Sequence, residues 1–182
     1  MMKPVIVNVV ATSDLGQQVD LSKVKKIRNI LFHQHPHRDG AAYIKTQSMH
    51  GRITLFNTGK LISIGSRSTI EAQEDLQTTA NILAEHNIIK LVRLSAEIGN
   101  IVSVLDLSET IDLEAIAEKH LVIYEPEIFP AVIIRTHFPK ATLLIFSTGK
   151  IIITGVKHVI ELKEVSEIVM HLLNINLESK EL

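Results

Sequence analysis

The chain has 182 residues, of which 46% are hydrophobic and none is cysteine. This length allows one or two domains with a real core, and the lack of cysteine excludes disulfides and thiolate metal sites. No apolar run approaches the ~18 residues of a membrane-spanning helix, and no cleavable signal is visible, so we expect an intracellular protein.

The formal net charge of −1 hides an asymmetry between the two halves. Residues 1–93 carry 12 Lys and Arg against 7 Asp and Glu, whereas residues 94–182 carry 7 against 13. Opposite signs suggest that each half meets a different partner. On charge alone, chance variation over solvated surfaces is the simpler alternative.

The first half is predicted to contain a strand, a helix, three strands and a second helix. Alternating strand formers and polar residues predict the first strand near 5–12, and the other strands are expected near 41–47, 52–57 and 60–65. The first helix is predicted near 20–31, where four apolar side chains share a face: Leu21, Val24, Ile27 and Leu31. Ser68 and Glu71 have capping-box spacing and predict the start of the second helix, which places Leu76, Ala80 and Leu83 on one side.

The second half repeats this order of elements. A strand near 89–97 leads into one near 97–105, a helix follows near 112–121, and further strands are expected near 131–137, 142–147 and 150–154. Apolar residues at helical spacing then predict a last helix, at Leu162, Val165, Val169 and Leu172. About ten strands and four helices predict an α+β fold.

Short sequences recur along the chain. Asn8-Val9-Val10 returns as Asn100-Ile101-Val102 at an offset of 92, and Phe56-Asn57-Thr58-Gly59-Lys60 returns as Phe146-Ser147-Thr148-Gly149-Lys150 at an offset of 90. Such self-similarity indicates two copies of one supersecondary unit. We therefore expect two pseudo-symmetric repeats, residues 1–95 and 96–182, that share one continuous sheet.

Several predicted strands are apolar on both faces. Ile151, Ile152 and Ile153 are consecutive, and so are the apolar residues from Leu143 to Phe146. Four helices can cover one face of a ten-stranded sheet but not both. The second face is therefore either covered by another subunit or left open for binding. One Asn per repeat among small apolar residues suits a DNA minor groove, whose A·T pairs present acceptors.

A family resemblance rests on the segment from Tyr124 to Gly155. Two motifs in it resemble the second repeat of the TATA-box-binding protein family. They are the loop Tyr124-Glu125-Pro126-Glu127-Ile128-Phe129-Pro130 and the hairpin Leu143-Leu144-Ile145-Phe146-Ser147-Thr148-Gly149-Lys150. The family has Leu at the position of Ile128 and Ser at the position of Thr148. The resemblance covers nearly the whole chain, strongly from 97 to 155 and more weakly from 5 to 65.

The resemblance implies a saddle-shaped, roughly ten-stranded antiparallel sheet with four helices on the convex side. It implies a general transcription initiation factor of archaeal type that binds and bends TATA-like promoter DNA through the minor groove. The implied partners are the promoter duplex, the B-type initiation factor, the RNA polymerase machinery and a second copy of the chain bound at the concave face. No cofactor or metal is implied, and the expected location is with the chromosomal DNA, in the archaeal cytoplasm or the eukaryotic nucleus.

Residue roles follow from the same resemblance, position by position. The residues that would insert between base steps are Phe56, Phe129 and Phe146. The floor of the DNA-binding surface would consist of Asn8, Val10, Thr54, Ile62, Asn100, Val102, Leu144, Ile152 and Thr154. The phosphates would be contacted by Lys45, Lys60, Arg67, Arg135, Lys150 and Lys157. The exposed loop residues Glu125, Glu127 and Ile128 would bind the B-type factor.

The first repeat departs from the family at two of these positions. Asp39 stands where the family has its first inserted phenylalanine, and Ile64 stands where it has threonine. A carboxylate would be repelled by phosphates and cannot unstack bases. The alternative function is therefore a divergent paralogue that acts mainly as a protein-interaction platform with weak or altered DNA binding.

Metal binding and catalysis fit the sequence less well. His33, His35 and His37 alternate in a way that suggests metal binding, but Pro36 interrupts the strand geometry and no cysteine accompanies them, so an exposed loop is favoured. The sequence has neither a Gly-rich phosphate loop nor paired catalytic carboxylates, and we therefore predict no enzymatic activity.

Overall fold

The computed structural model describes residues 3–37 and 39–173. These residues form nine strands and four helices, in the order β1 Val5–Asp14, α1 Leu21–Val24, β2 Leu31–Gln34, β3 Ala41–Lys45, β4 Arg52–Phe56, β5 Lys60–Ser66, α2 Thr69–Glu85, β6 Glu97–Asp106, α3 Leu113–Lys119, β7 Ala131–His137, β8 Lys140–Phe146, β9 Lys150–Val156 and α4 Val159–Leu172. The predicted α+β class is confirmed. No helix in the described part of the chain is long and apolar enough to cross a membrane.

The chain divides into two compact units. Among the described residues, the first unit lies within Asn8–Gly99, and the second unit comprises residues 100–173 together with residues 3–7. The division falls four residues beyond the boundary expected from the sequence repeat.

The first unit orders its strands β2-β3-β4-β5-β1, with β1 contributing its residues 8–14, and all the pairs are antiparallel. The helix α2 packs on β4 and β5 through its apolar side, where Leu76, Ala80 and Leu83 are buried. Alternate strand residues such as Leu55 and Leu61 complete this core. Burial of apolar area of this kind contributes about 25 cal/mol per Å² to folding.

The second unit orders its strands β6-β9-β8-β7, again antiparallel. The helix α4 packs on β9 through a buried side that includes Val165 and Val169. Facing it are alternate strand residues such as Leu143, Ile151 and Ile153, all fully buried. The two units thus share the same order of elements, except that the strand β2 of the first unit has no counterpart strand among the described residues of the second.

The Thr-Gly-Lys turns explain why glycine recurs at the same place in both repeats. Gly59 has φ +96 and Gly149 has φ +83, backbone angles that residues other than glycine rarely adopt. A Cβ atom at Gly59 would collide with the carbonyl oxygen of Gln17, and one at Gly149 would collide with that of Glu109. Each hairpin is therefore packed against the loop that follows the first strand of its unit.

Carboxylates fix the starts of both long helices. Ser68 Oγ accepts from the backbone N–H of Glu71 at 3.1 Å, and Glu71 Oε2 accepts from that of Arg67 at 2.6 Å, so the helix begins where the sequence predicts. At α4 the carboxylate of Glu161 accepts from the N–H groups of Lys157 and His158 at 2.9 and 3.0 Å. The hydrogen bond from His158 and then that from Lys157 lower the pKa of Glu161, because both stabilise the charged carboxylate.

The helix predicted near 20–31 is wrong over most of its length. The helix α1 covers only Leu21–Val24, and Asn29 takes φ +67, which no α-helix allows. Leu31 belongs instead to the edge strand β2 and is 64% exposed. Pairing of β2 with β3 overrides the helical spacing of the apolar residues, because tertiary contacts outweigh local propensity.

The strand predicted near 89–97 is also wrong before residue 97. Residues 90–96 join no ladder because glutamines of α2 take the backbone partners that a neighbouring strand would supply. Gln77 accepts from the N–H of Leu94 and donates to the carbonyl of Val92, at 2.9 and 3.0 Å. Gln73 likewise accepts from the N–H of Ala96 at 2.7 Å and donates to the carbonyl of Leu94 at 3.0 Å. Apolar composition alone does not reveal this side-chain pairing.

Candidate nucleic-acid interface

Each unit has a sheet face whose side chains are only half-buried, which we call its open face. The alternation is clear in β6, where Ile101 and Ser103 are buried while Asn100 and Val102 are half-buried. Most predicted floor residues share this intermediate burial, namely Asn8, Val10, Ile62, Asn100, Val102, Leu144, Ile152 and Thr154. The structure therefore gathers them on the open faces of their units.

The strand registers place these side chains in rows across the sheets. In the second unit Val104 pairs with Ile152, Ile152 with Leu144, and Leu144 with Ile133. In the first unit the matching row is Thr12, Ile62, Thr54 and Tyr43. Thr54 is only 7% exposed because it is small and lies between the larger Ile62 and Tyr43, whereas its counterpart Leu144 is half-buried. At this point Tyr43 therefore contributes more exposed surface to the floor of the first unit than Thr54 does.

The two asparagines are held in one orientation by glycine N–H groups. Asn8 Oδ1 accepts from the N–H of Gly65 at 2.8 Å, and Asn100 Oδ1 accepts from that of Gly155 at 2.8 Å. The glycines have φ +103 and +98. With its oxygen fixed in this way, each side-chain amide has its NH2 group available as a hydrogen-bond donor. Sequence analysis missed the role of both glycines, whose only signal was their matching positions after the repeated hairpins.

The side-chain amides of Asn8 and Asn100 differ in the surroundings of their Nδ2 groups. Nδ2 of Asn100 lies 3.2 Å from the hydroxyl of Thr154, and this contact completes a small polar cluster in the second unit. In the first unit Ile64 stands at the matching place and is 38% exposed. Within the described part of the chain, Nδ2 of Asn8 has no hydrogen-bond partner. The open face of the first unit is consequently more apolar at this point.

Two of the predicted inserting phenylalanines lie side by side in the second unit. The ring centroids of Phe129 and Phe146 are 5.9 Å apart and the ring planes meet at 69°, an edge-to-face contact. Phe129 remains 38% exposed and Phe146 is half-buried. In the first unit Phe56 is also half-buried, but the position that matches Phe129 is taken by the exposed Asp39.

The loop that carries Phe129 is a tight turn. The carbonyl of Glu125 accepts from the N–H groups of Ile128 and Phe129, both at 2.9 Å. The hydroxyl of Tyr124 donates to Glu114 of α3 at 3.1 Å and anchors the start of the loop. Desolvation, together with this carboxylate, raises the pKa of Tyr124. The predicted partner-binding residues Glu125, Glu127 and Ile128 are all exposed on this turn, Ile128 to 78%.

Next to the matching loop of the first unit, His35 of the loop, Tyr43 of β3 and Arg52 of β4 form a stack of cationic and aromatic side chains. The guanidinium carbon of Arg52 lies 4.2 Å from the centroid of the Tyr43 ring. The rings of Tyr43 and His35 are 4.9 Å apart, and Nδ1 of His35 accepts from the N–H of His37 at 3.2 Å. Sequence analysis missed Tyr43 and Arg52 because each reads as an ordinary strand residue. Among the described residues, no group of three or more His, Asp or Glu side chains is arranged to hold a metal ion.

The predicted phosphate-contacting cations divide evenly between the units. Lys60 and Lys150 begin β5 and β9 on the open faces, and Lys45 and Arg135 lie on β3 and β7. All six predicted cations are exposed except for the half-buried Lys45: Lys45, Lys60, Arg67, Arg135, Lys150 and Lys157. No ion pair holds any of them within residues 3–37 and 39–173. Their charges are therefore free to meet an anionic ligand.

The fold and these faces define a class of protein: two α+β repeats, each with an amide and apolar side chains on the uncovered face of an antiparallel sheet. The model of the family "Transcription factor TFIID (or TATA-binding protein, TBP)" matches residues 3–86 and 95–175. The chain belongs to this family.

Relatives cover most of the chain. The TATA-box-binding protein 2 of Entamoeba histolytica is 36% identical over 157 residues, which are 85% of this chain and 73% of that protein. The TATA-box-binding protein of Cenarchaeum symbiosum is 30% identical over 165 residues, 90% of each chain. The solved structure of Methanococcus jannaschii TBP superposes with a TM-score of 0.83 at 26% identity and covers 94% of this chain and 98% of that one.

Proposed function

We propose that this protein is a general transcription initiation factor that binds and bends TATA-like promoter DNA through the minor groove. The observation that carries the proposal is the pair of fixed amides, Asn8 and Asn100, each set among half-buried side chains on an open face. In the minor groove an A·T pair presents only acceptors, N3 of adenine and O2 of thymine, which an amide NH2 group satisfies. The apolar neighbours fit the floor of the groove without competing for these acceptors.

Bending would come from the phenylalanines. A side chain inserted between base steps costs a few kcal/mol of unstacking, which the larger contact surface of bent DNA offsets. In the second unit the candidates are Phe129, which is exposed, and the half-buried Phe146 in contact with it, and Phe56 is the candidate in the first. The free cations of each unit would contact phosphates and make the affinity fall with rising salt concentration.

Protein partners would use the acidic turn of the second unit. Glu125, Glu127 and Ile128 are exposed together, and the turn is held by its own hydrogen bonds and by Tyr124. Two carboxylates next to an exposed apolar side chain suit a basic partner surface with an apolar pocket. We assign this turn to the B-type initiation factor, through which the RNA polymerase machinery would be recruited at the chromosome.

Without DNA, the open faces would bind a second copy of the chain. Half-buried apolar residues such as Val10, Ile62, Leu144 and Ile152 make association favourable when no duplex covers them. DNA would then compete with the homodimer for the same residues.

A divergent paralogue with weak or altered DNA binding is the second candidate. The specific observation in its favour is Asp39, an exposed carboxylate at the position that matches Phe129. An anion there opposes phosphates, and it leaves the first unit with one inserting phenylalanine instead of two.

A titration separates the two candidates. The change in fluorescence anisotropy of a TATA-containing duplex is measured with and without the B-type factor, alongside energy transfer between dyes at the two duplex ends. Tight, salt-dependent binding with an increase in energy transfer supports the initiation factor. Failure to bind the duplex, or binding without bending, would overturn it and favour the paralogue.

A further inference from the structure

The first unit has an open groove at the C-terminal end of α2, which we call the α1 groove. Its volume is about 900 Å³, and it is lined by residues 27–31 after α1, by residues 45–48 at the end of β3, and by Ile82, Glu85 and His86 of the α2 end. Apart from Lys45, none of the residues assigned above to DNA or to the B-type factor lines it. The groove is therefore a surface that the proposed function leaves unused.

The floor of the α1 groove is apolar and partly exposed. Ile30 and Ile82 are half-buried, and Leu31 is 64% exposed at the start of β2. Beneath them Ile27, which is only 8% exposed, connects the floor to the core of the unit. Such a shallow apolar strip differs from the enclosed cavity that holds a small molecule, and it is typical of a surface that a protein partner covers.

One wall of the groove is strongly basic. The segment 21–28 has four cations and no acidic residue, namely Lys23, Lys25, Lys26 and Arg28. Lys23 interacts electrostatically with the nearby carboxylate of Asp20. The other three, which we call the turn cations, are exposed and make neither an ion pair nor a side-chain hydrogen bond to any residue that the structure describes. Their charges are therefore available to an anionic partner.

The turn cations sit on a fixed piece of backbone. The N–H of Lys26 donates to the carbonyl of Lys23 and that of Ile27 to the carbonyl of Val24, both at 3.0 Å. Val24 and Ile27 are buried between the cations. Because the turn is held in this way, three charges are presented together at the edge of an apolar floor.

The second unit does not repeat this charge pattern. At the offset of 92, the segment 113–120 matches 21–28, and it contains two glutamates and one lysine in place of four cations. Lys25 and Lys26 match Ala117 and Glu118. The repeated fold therefore does not require the turn cations, and they need an explanation specific to the first unit.

The opposite wall decides between a peptide and a nucleic acid. The helix α2 has four acidic residues and no lysine or arginine, and its Glu85 lines the groove. A nucleic-acid backbone that followed the groove would bring its phosphates close to Glu85 and would not cover the apolar floor. A short peptide can instead direct its carboxylates to the turn cations and its apolar side chains to the floor.

We propose that the α1 groove binds a short acidic, amphipathic segment of a partner protein. The apolar side chains of this segment cover Ile30, Leu31 and Ile82, as when an amphipathic helix binds in a groove, and its carboxylates pair with the turn cations. The groove lies beside α2 and not on the open face, so the segment and DNA can bind the first unit together. The proposal does not rest on the DNA binding proposed above.

The test begins with a displayed library of random peptides of about 15 residues, or about four helical turns. Selections are run in parallel on the wild type, on the groove variant Lys25→Glu/Lys26→Glu/Arg28→Glu, and on a control variant, Lys90→Glu/Lys119→Glu/Lys163→Glu. The control changes the net charge equally through three exposed lysines outside the groove. The most enriched peptide is then synthesised with a fluorescent label, and its affinity is measured by anisotropy beside that of a TATA-containing duplex.

We expect the wild type and the control variant to enrich peptides that are net negative and have large apolar residues three or four positions apart. The affinity of the labelled peptide should fall about tenfold or more in the groove variant, because attraction becomes repulsion, and less than about twofold in the control. It should also fall with rising salt concentration. Leu31→Ser should weaken the peptide but keep this salt dependence, because the change removes only apolar contact. The duplex affinity should be the same for the groove and control variants.

Three outcomes would overturn the proposal. The wild type could fail to enrich acidic, amphipathic peptides, or the groove variant could bind them as tightly as the wild type does. A groove variant that loses affinity for the duplex and not for the peptide would make the turn cations a nucleic-acid contact. If the wild type does not bind the duplex, the function proposed above fails, whereas the peptide measurements still decide the role of the groove.

Discussion

Phe129 and Phe146 meet edge to face, with ring centroids 5.9 Å apart, although one lies in a loop and the other ends a strand. The contact is possible because Ala131, two residues after Phe129, pairs directly with Phe146. Both rings keep exposed surface, and each limits the rotation of the other. A pair of preoriented aromatic rings is well suited to inserting at a base step.

Replacing these rings should remove DNA bending without unfolding the protein. We expect Phe129→Ala and Phe146→Ala to abolish the increase in end-to-end energy transfer, because neither alanine can wedge a base step open. Circular dichroism and thermal melting should stay close to the wild type for Phe129, which is 38% exposed. Phe138→Ala is the control, since that ring is 93% exposed and outside the pair. Unchanged bending in both variants would contradict the assignment.

Asp39→Phe should strengthen DNA binding. The substitution removes a carboxylate that opposes phosphates and adds an aromatic surface for an unstacked base, worth about 1–3 kcal/mol by the usual stacking energies. The repulsion also disappears, so the dependence of affinity on salt should change. Asp39→Asn, which removes the charge alone, separates the two contributions. If Asp39→Phe leaves affinity and bend angle as they were, this loop does not contact DNA.

Charge reversal in the acidic turn should affect the protein partner and not the duplex. Glu125→Arg combined with Glu127→Arg is expected to leave binary DNA affinity nearly unchanged and to weaken the ternary complex with the B-type factor, because complementary charges become repulsive. The matched control is Glu74→Arg with Glu164→Arg, two exposed glutamates on α2 and α4. Equal ternary affinities for the two double variants would remove the assignment of this turn.

Asp75 should be important for stability. It is 1% exposed and accepts from the N–H groups of His50 and Gly51 and from the hydroxyl of Ser66, at 2.7 to 2.9 Å. Asp75→Ala leaves these donors without a partner, and we expect it to lower the free energy of unfolding by about 2–4 kcal/mol in urea titrations. Glu74→Ala, next to it but exposed, should change it by less than about 0.5 kcal/mol. A similar small effect for both would show that the buried carboxylate is not structural.

The stability contributed by Glu161 should depend on pH. Its folded pKa lies below the ordinary 4.5, because backbone N–H groups of His158 and Lys157 stabilise the charged form. The contribution is therefore complete above about pH 4.5 and is lost as the pH falls through the folded pKa. Glu161→Ala should cost about 0.5–1 kcal/mol at pH 7, as for a lost helix cap, and progressively less in acid. Parallel melting curves of wild type and variant that keep their separation down to pH 3 would contradict this.

The start of α2 and the repeated hairpins could be predicted because their signals are local. Ser68 and Glu71 are three residues apart, and a reciprocal cap needs no distant partner. The glycine of the Thr-Gly-Lys turn likewise marks a backbone conformation that other residues rarely adopt. The predicted strands near 41–65 and 131–154 are confirmed for the same reason, since each is an apolar run bounded by turn residues.

The sequence by itself determined the two-repeat organisation, the α+β class, the long helices and which residues alternate toward the open faces, because periodicity and turn chemistry act over a few residues. Only the tertiary structure decided the short α1, the edge strand β2 and the irregular stretch 90–96, where pairing with β3 and the glutamines of α2 override local preference. The same holds for the glycine N–H groups that fix Asn8 and Asn100 and for the placement of Arg52 over Tyr43. These contacts join residues from 9 to 57 positions apart, and their geometry depends on the pairing of segments that are distant in the sequence, which a pattern within one segment does not specify.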